Sequence, residues 1–107
     1  MEFINLTGHT VKLITPTTEH VFKSRGRARV DYSFMFLEEL SERFRIPIHK
    51  AVYEICGLPK ESQNTLYIVS SVVYNSSSRT DLVLPYGILR NEDNVPYGCL
   101  KLLHKGE

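Results

Sequence analysis

Apolar positions along this chain fall in short, punctuated runs rather than long helical stripes, and that pattern predicts mostly strands. Phe3-Ile4-Asn5-Leu6 and Thr10–Thr15 are rich in apolar or β-branched residues, with Thr7-Gly8-His9 as a turn between them; they read as strands or one bent strand. His20–Lys23 and Arg27–Tyr32 read as further strands around the Ser24-Arg25-Gly26 turn. In Ser33–Arg45, Phe36, Leu37, Leu40 and Phe44 fit helical spacing while the flanks look extended, so helix and hairpin both stay open there. Pro47 stops any helix, and Ile48–Ile55 alternates as a strand before the Gly57-Leu58-Pro59 break.

The strongest signal is Thr65–Pro85. A continuous apolar run, Leu66-Tyr67-Ile68-Val69, predicts a buried strand, and it leads into Ser70-Ser71 and a short amphipathic helix over Ser70–Ser77. Leu82-Val83-Leu84 forms a short run expected to end at Pro85, and Val95–Leu103 forms the last strand. These elements predict an α+β fold: one small, antiparallel, β-rich domain over residues 1–107, with one or two short helices and a loose tail at 104–107.

Composition narrows the function classes. Apolar residues at 42% and charged residues at 23% suit a folded core rather than a disordered chain. A formal charge of +1 supplies no global field for long nucleic acid or an anionic membrane, so any anion site must be local. No apolar run approaches the roughly 20 residues that span a bilayer, and the start lacks the basic and apolar regions of a signal peptide, which predicts a cytosolic protein. Cys56 and Cys99 lie far apart and read as buried free thiols; the four histidines are scattered, so no metal site and no cofactor is expected.

Several residues carry candidate binding chemistry. A strand that hands over to a helix offers unpaired N–H groups suited to phosphate, which nominates Ser70 and Ser71, although a helix cap explains a serine equally well. Asn75, a turn further on, has an amide that could read a base or ribose edge, or simply end the helix. Arg27 and Arg29 share one strand face, as an anion clamp or as solvated surface. Arg79 stands two residues from Asp81 and could pair with it; Arg90 has no carboxylate at helical spacing. Tyr67, Tyr74, Tyr86 and Tyr97 supply flat surfaces for a base or pack in the core. No serine elbow, P-loop or HExxH motif is present, and His9 reads as a local hydrogen-bonder, so binding is favoured over turnover.

The run Asn5-Leu6-Thr7-Gly8-His9-Thr10-Val11, with Ala28-Arg29-Val30, Gly57-Leu58-Pro59, Leu66–Ser70, Arg79–Pro85, Arg90 and its acidic turn, and Gly98-Cys99, resembles a family of small phage proteins. The match spans nearly the whole chain and departs at Gly8, where proline is usual, and in Ser33–Lys50. The family is similar to the first class of Thoeris anti-defence proteins. The resemblance implies a sponge in the host cytoplasm that sequesters cyclic ADP-ribose isomers, and in some members cyclic oligonucleotides, without cleaving them. It also implies a dimer or hexamer with ligand near subunit contacts, and carries Arg29, Ser70, Asn75 and Arg90 over as ligand contacts. A chain of this size does not easily enclose a dinucleotide-like ligand alone, which fits an oligomer. Two other functions compete: a phage module that inhibits a host protein through a sheet edge or tyrosine-bearing surface, and a nucleotide hydrolase, for which Glu92, Asp93, Glu38 and Glu39 make no convincing metal cluster.

Overall fold

A computed structural model describes residues 1–106. Strands β1 (Glu2–Asn5), β2 (Val11–Ile14) and β3 (Glu19–Phe22) precede β4 (Arg29–Phe36), helix α1 (Glu38–Phe44) and β5 (His49–Cys56). Then follow β6 (Thr65–Ile68), helix α2 (Ser71–Ser76), β7 (Leu82–Arg90) and β8 (Pro96–His104). Six strands form one sheet in the order β1-β6-β7-β8-β2-β3, while β4 and β5 pair only with each other.

The fold is α+β and β-rich, but the expected antiparallel sheet is in fact mixed. β1 and β6 run parallel, as do β6 and β7, and β2 meets β8 in parallel at Leu13 and Cys99. Parallel neighbours need a crossover. The β6–β7 pair has one in α2; β1 and β6 are joined through most of the intervening chain.

β6 sits between β1 and β7 and is buried on both faces. Tyr67 and Val69 join Leu6, Ala28, Val73 and Leu82 in one core cluster, while Ile68 joins Val11, Val83 and Cys99 in the other. That two-sided burial is the physical reason its sequence is continuously apolar. Val72, Val73 and Tyr74 are indifferent helix formers, so α2 is only six residues long. It is held by the buried Val73 and by Lys105, whose ammonium donates to the Tyr74 carbonyl and lies 4.9 Å from its ring.

Two expectations near the C-terminus change. β7 continues through Pro85 to Arg90, because β6 reaches only as far as Val83 and the rest of β7 is an edge, where proline is tolerated. The tail is not loose at its start: His104 lies in β8, and the Lys105 N–H donates to the Leu82 carbonyl at 3.0 Å. Glu107 is outside the described residues.

The sheet curls until its two edges meet at Asn5, where β1 touches the chain just after β3. The backbone bridges Asn5 to Ser24, Arg25 N–H donates to Asn5 O at 2.8 Å, and the Phe3 and Phe22 rings lie 5.7 Å apart. Asn5 itself is 1% exposed. Its amide nitrogen donates to His9 O and Phe22 O, both at 2.7 Å, and its carbonyl oxygen accepts from the Thr7 N–H at 3.0 Å and the Thr7 hydroxyl at 2.7 Å. One buried side chain therefore ties the Thr7–His9 turn to β3.

The remaining piece is an arm. Segment 29–56 pairs over eight residues on each strand, from Arg29 with Cys56 to Phe36 with His49, and α1 closes its tip. Ser33–Arg45 thus resolves into both open alternatives: strand as far as Phe36 and helix from Glu38. α1 ends at Arg45 in the left-handed region and is fastened by Ser41, whose hydroxyl bonds both the N–H and the carbonyl of Ile48. The arm raises the radius of gyration to 18.1 Å, where a compact chain of this length gives roughly 13 Å.

Asn5→Ala removes a fully buried amide together with the hydrogen bonds it donates to the His9 and Phe22 carbonyls and accepts from Thr7. We expect a loss of at least about 3 kcal/mol in urea unfolding, and a loss under about 1 kcal/mol would show that the edges close without this side chain.

Candidate functional site

Two places in the fold bear on binding: the corner after β6 singled out by the sequence, and a groove between β2 and the β7–β8 hairpin. At the corner, Ser70 is the N-cap of α2 in extended backbone, and its hydroxyl makes no capping hydrogen bond. Ser70 is half-buried, and Ser71 and Asn75 are exposed. The local strand-to-helix junction is as the sequence indicates, but the arginines do not gather there.

Arg79 is occupied internally. Its guanidinium grips Asp81 with two hydrogen bonds of 3.0 and 2.6 Å, donates to Pro59 O at 2.5 Å and lies 5.7 Å from the Tyr67 ring centroid. The hydrogen bonds to Asp81 hold its pKa above the usual arginine value, against the opposing effect of burial. Tyr67 is 3% exposed and its hydroxyl donates to Lys60 O at 3.2 Å. Arg79, Asp81 and Tyr67 thus fasten the 59–61 loop to the start of β7, the structural alternative that their spacing left open.

Arg29 lies on the arm face opposite Val30, whose side packs against the core, and its Nε donates to Asp31 at 3.2 Å. The other oxygen of Asp31 accepts from the Cys56 thiol at 3.2 Å. That hydrogen bond, followed by burial and the nearby carboxylate charge, pushes the Cys56 pKa up. Arg27 bridges to Thr7, and its aliphatic stem lies over Gly8, 3.2 Å from where a Cβ would stand. Gly8 has φ of +88°, a conformation closed to proline.

Arg90 is elsewhere. β6 and β7 pair at Ile68 and Val83, which sets Ser70 level with Pro85, and Arg90 is about 15 Å further along β7. A register shift between Leu89 and Arg90 precedes the Asn91–Asn94 turn, and Arg90 donates to Asn94 O at 3.1 Å. From there it lines an open groove of about 640 Å³ together with His9, Lys12, Ile88, Tyr97 and Cys99. Ligand pockets commonly fall between about 300 and 1,000 Å³.

The groove exists because β2 runs close beside β8. A Cβ on Gly98 would stand 2.7 Å from Ile14 Cδ1 and 3.3 Å from Lys12 O, so a larger residue there would make the Ile14 side chain move. Cys99 forms part of the lining and is 1% exposed; burial pushes its thiol pKa up. His9 is held by the Asn5 network. The Thr7 hydroxyl has one proton, and its shorter acceptor is Asn5 Oδ1 at 2.7 Å rather than His9 O at 2.9 Å. Thr7 Oγ1 also lies 3.1 Å from His9 Nδ1, so the hydroxyl that meets Asn5 steadies the imidazole as well. Lys12 has only a 3.9 Å contact with Glu19.

The groove thus combines an apolar floor, the exposed ring of Tyr97 and three basic side chains. Sequence reasoning named Arg90 but passed over Lys12, and it read His9 as a local hydrogen-bonder in a turn and Tyr97 as one of several flat surfaces. Pairing between β2 and β8 brings residues 9–12 beside 96–99, and no local pattern encodes that. Among the described residues no three His, Cys, Asp or Glu side chains gather as a metal site, and no helix is long and apolar enough to cross a membrane. No family model, curated protein or solved structure matches the chain.

Asp31→Asn removes the carboxylate charge beside Cys56 and replaces its acceptor with a weaker one, so the thiol pKa falls and more thiolate is present at pH 8. Alkylation by iodoacetamide should become several-fold faster, and an unchanged or slower rate would contradict the contact.

Proposed function

We propose that this chain is a phage sponge that binds a nucleotide-derived immune signal, of the cyclic ADP-ribose isomer class, and holds it uncleaved in the β2–β7–β8 groove. The observation that carries the proposal is the meeting of Arg90, Lys12 and His9 with Tyr97 over an apolar floor. A planar base needs a ring to stack on, and a pyrophosphate needs charged donors; this groove offers both within one volume. The ligand class comes from the resemblance to the phage anti-defence family.

Sequestration asks for no catalytic group. When protein exceeds signal and its concentration is about ten times Kd, only about a tenth of the signal remains free. Hydrogen bonds to charged groups contribute about 1.5–3 kcal/mol each, which converts to roughly 10- to 100-fold in affinity. Because the groove is open, binding should also weaken as salt rises.

A second reading, a module that inhibits a host protein, is favoured by one feature, the exposed apolar face of the arm. It predicts a stable complex with a host protein that survives size-exclusion chromatography, which a sponge does not need.

The sponge reading is tested by titrating the protein with cyclic ADP-ribose isomers, then heat-denaturing the complex and identifying what is released. We expect the intact ligand, and a tenfold or greater loss of affinity in Arg90→Ala and Tyr97→Ala. Absence of binding overturns the proposal, and release of a converted product makes the protein an enzyme.

A further inference from the structure

Arg90 reaches the groove through a distorted stretch of the β7–β8 hairpin. Leu89 faces Gly98 but Arg90 faces Pro96, so Tyr97 is an extra residue in β8. A bulge of this kind twists the ribbon and re-aims side chains, and Arg90 and Tyr97 both line the groove. The turn that follows is closed on a single side chain. Asn91 Oδ1 accepts from the Asp93 N–H at 2.9 Å and the Val95 N–H at 3.0 Å, while the Asn91 N–H donates to Val95 O at 3.0 Å. The Asn94 N–H donates to Asn91 O at 2.9 Å, and Asn94 takes a φ of +63°, the left-handed conformation that asparagine adopts more readily than most residues with a side chain. The Asn94 carbonyl then accepts from Arg90 Nη1 at 3.1 Å.

We propose that Asn91 is a positioning residue for the ligand site: by closing this turn around its amide oxygen, it holds Arg90 aimed into the groove before any ligand arrives and apart from the turn's own carboxylates. The role rests on the reading of the groove as the place where a phosphate-bearing ligand binds. Glu92 and Asp93 follow Arg90 closely in the chain, yet no ion pair among the described residues joins either of them to it. Such a pair would neutralise the charge that a pyrophosphate needs. Arg79 shows the opposite outcome. It commits Nε and Nη2 to Asp81 and Nη1 to Pro59 O, whereas Arg90 gives one donor to one carbonyl and keeps its remaining N–H groups for a ligand.

Holding the guanidinium in advance has a measurable value. A long exposed side chain that orders only on binding loses rotamer freedom, which corresponds to roughly 2- to 12-fold in affinity. Asparagine suits the position chemically. Its oxygen takes two backbone N–H groups without setting a negative charge beside Arg90, as an aspartate in the same turn would. Asn91 and Asn94 are exposed and belong to neither core cluster, so their effect falls on the turn rather than on the body of the fold.

Two measurements test the role. In the ligand-free natural chain labelled with ¹⁵N-arginine, the heteronuclear NOE of the Arg90 Nε–Hε group should be as high as that of the clamped Arg79. A low value, that of a freely moving side chain, overturns the proposal, and this reading needs no variant to fold. In the second, Asn91→Ala should lower affinity for a cyclic ADP-ribose isomer at least about fivefold. Adding Glu92→Gln and Asp93→Asn to that variant should recover more affinity than the same two changes bring to the natural chain, because Arg90 is then released from carboxylates that only the opened turn lets it reach. Additive effects, or an Asn91→Ala chain that binds like the natural one, overturn the positioning role alone. A natural chain that binds no isomer overturns the reading of the groove, and the role falls with it.

Discussion

Asn5 is the constraint on which the groove rests. A buried amide costs stability unless its donors and acceptor are paired, and here both donors and the carbonyl are used, across segments that are also joined by short backbone bridges, the Phe3–Phe22 ring contact and an exposed Arg25–Glu2 ion pair. By gripping His9 O and Phe22 O at once, Asn5 fixes the turn that leads into β2 relative to β3, and so sets His9, Val11 and Lys12 against β8. The Asn-Leu-Thr-x-His pattern has a physical meaning in these contacts: the asparagine closes the sheet, the threonine hydroxyl relays to the histidine ring, and the histidine faces the groove.

The basic side chains divide by the company they keep. Arg79 and Arg29 each have a carboxylate two residues away and are taken up by it, one as a half-buried clamp and the other on the outer face of the arm. Arg90 and Lys12 have no such neighbour in strong contact and stand at the groove. Of the two, the buried Arg79 pair matters more to the fold, since exposed ion pairs contribute little.

What could be read from the sequence follows from the range of the interactions involved. β6 was legible because burial on both faces writes itself into consecutive residues, and the Arg79–Asp81 pair because strand geometry puts residues two apart on one face. The mixed sheet was not, because parallel pairing of β1 with β6 and of β2 with β8 joins residues some sixty to eighty-six apart, and hydrophobic alternation looks the same in either direction. For the same reason the Ser70 corner could be read from the sequence and the groove could not: the corner is a local signature, and the groove exists only once β2 lies beside β8. The arm was half legible, since helical spacing and strand alternation compete over Phe34–Phe44 and each describes part of the segment.

The central claim is that closure of the sheet builds the ligand site between β2 and the β7–β8 hairpin, away from the β6 corner. Amide chemical shifts of the ¹⁵N-labelled protein, followed while a cyclic ADP-ribose isomer is added, test it most directly. The account predicts that the largest changes fall on residues 9–12, 90 and 97–99. Changes centred on residues 70–75 instead, or no changes at saturating ligand, would contradict it.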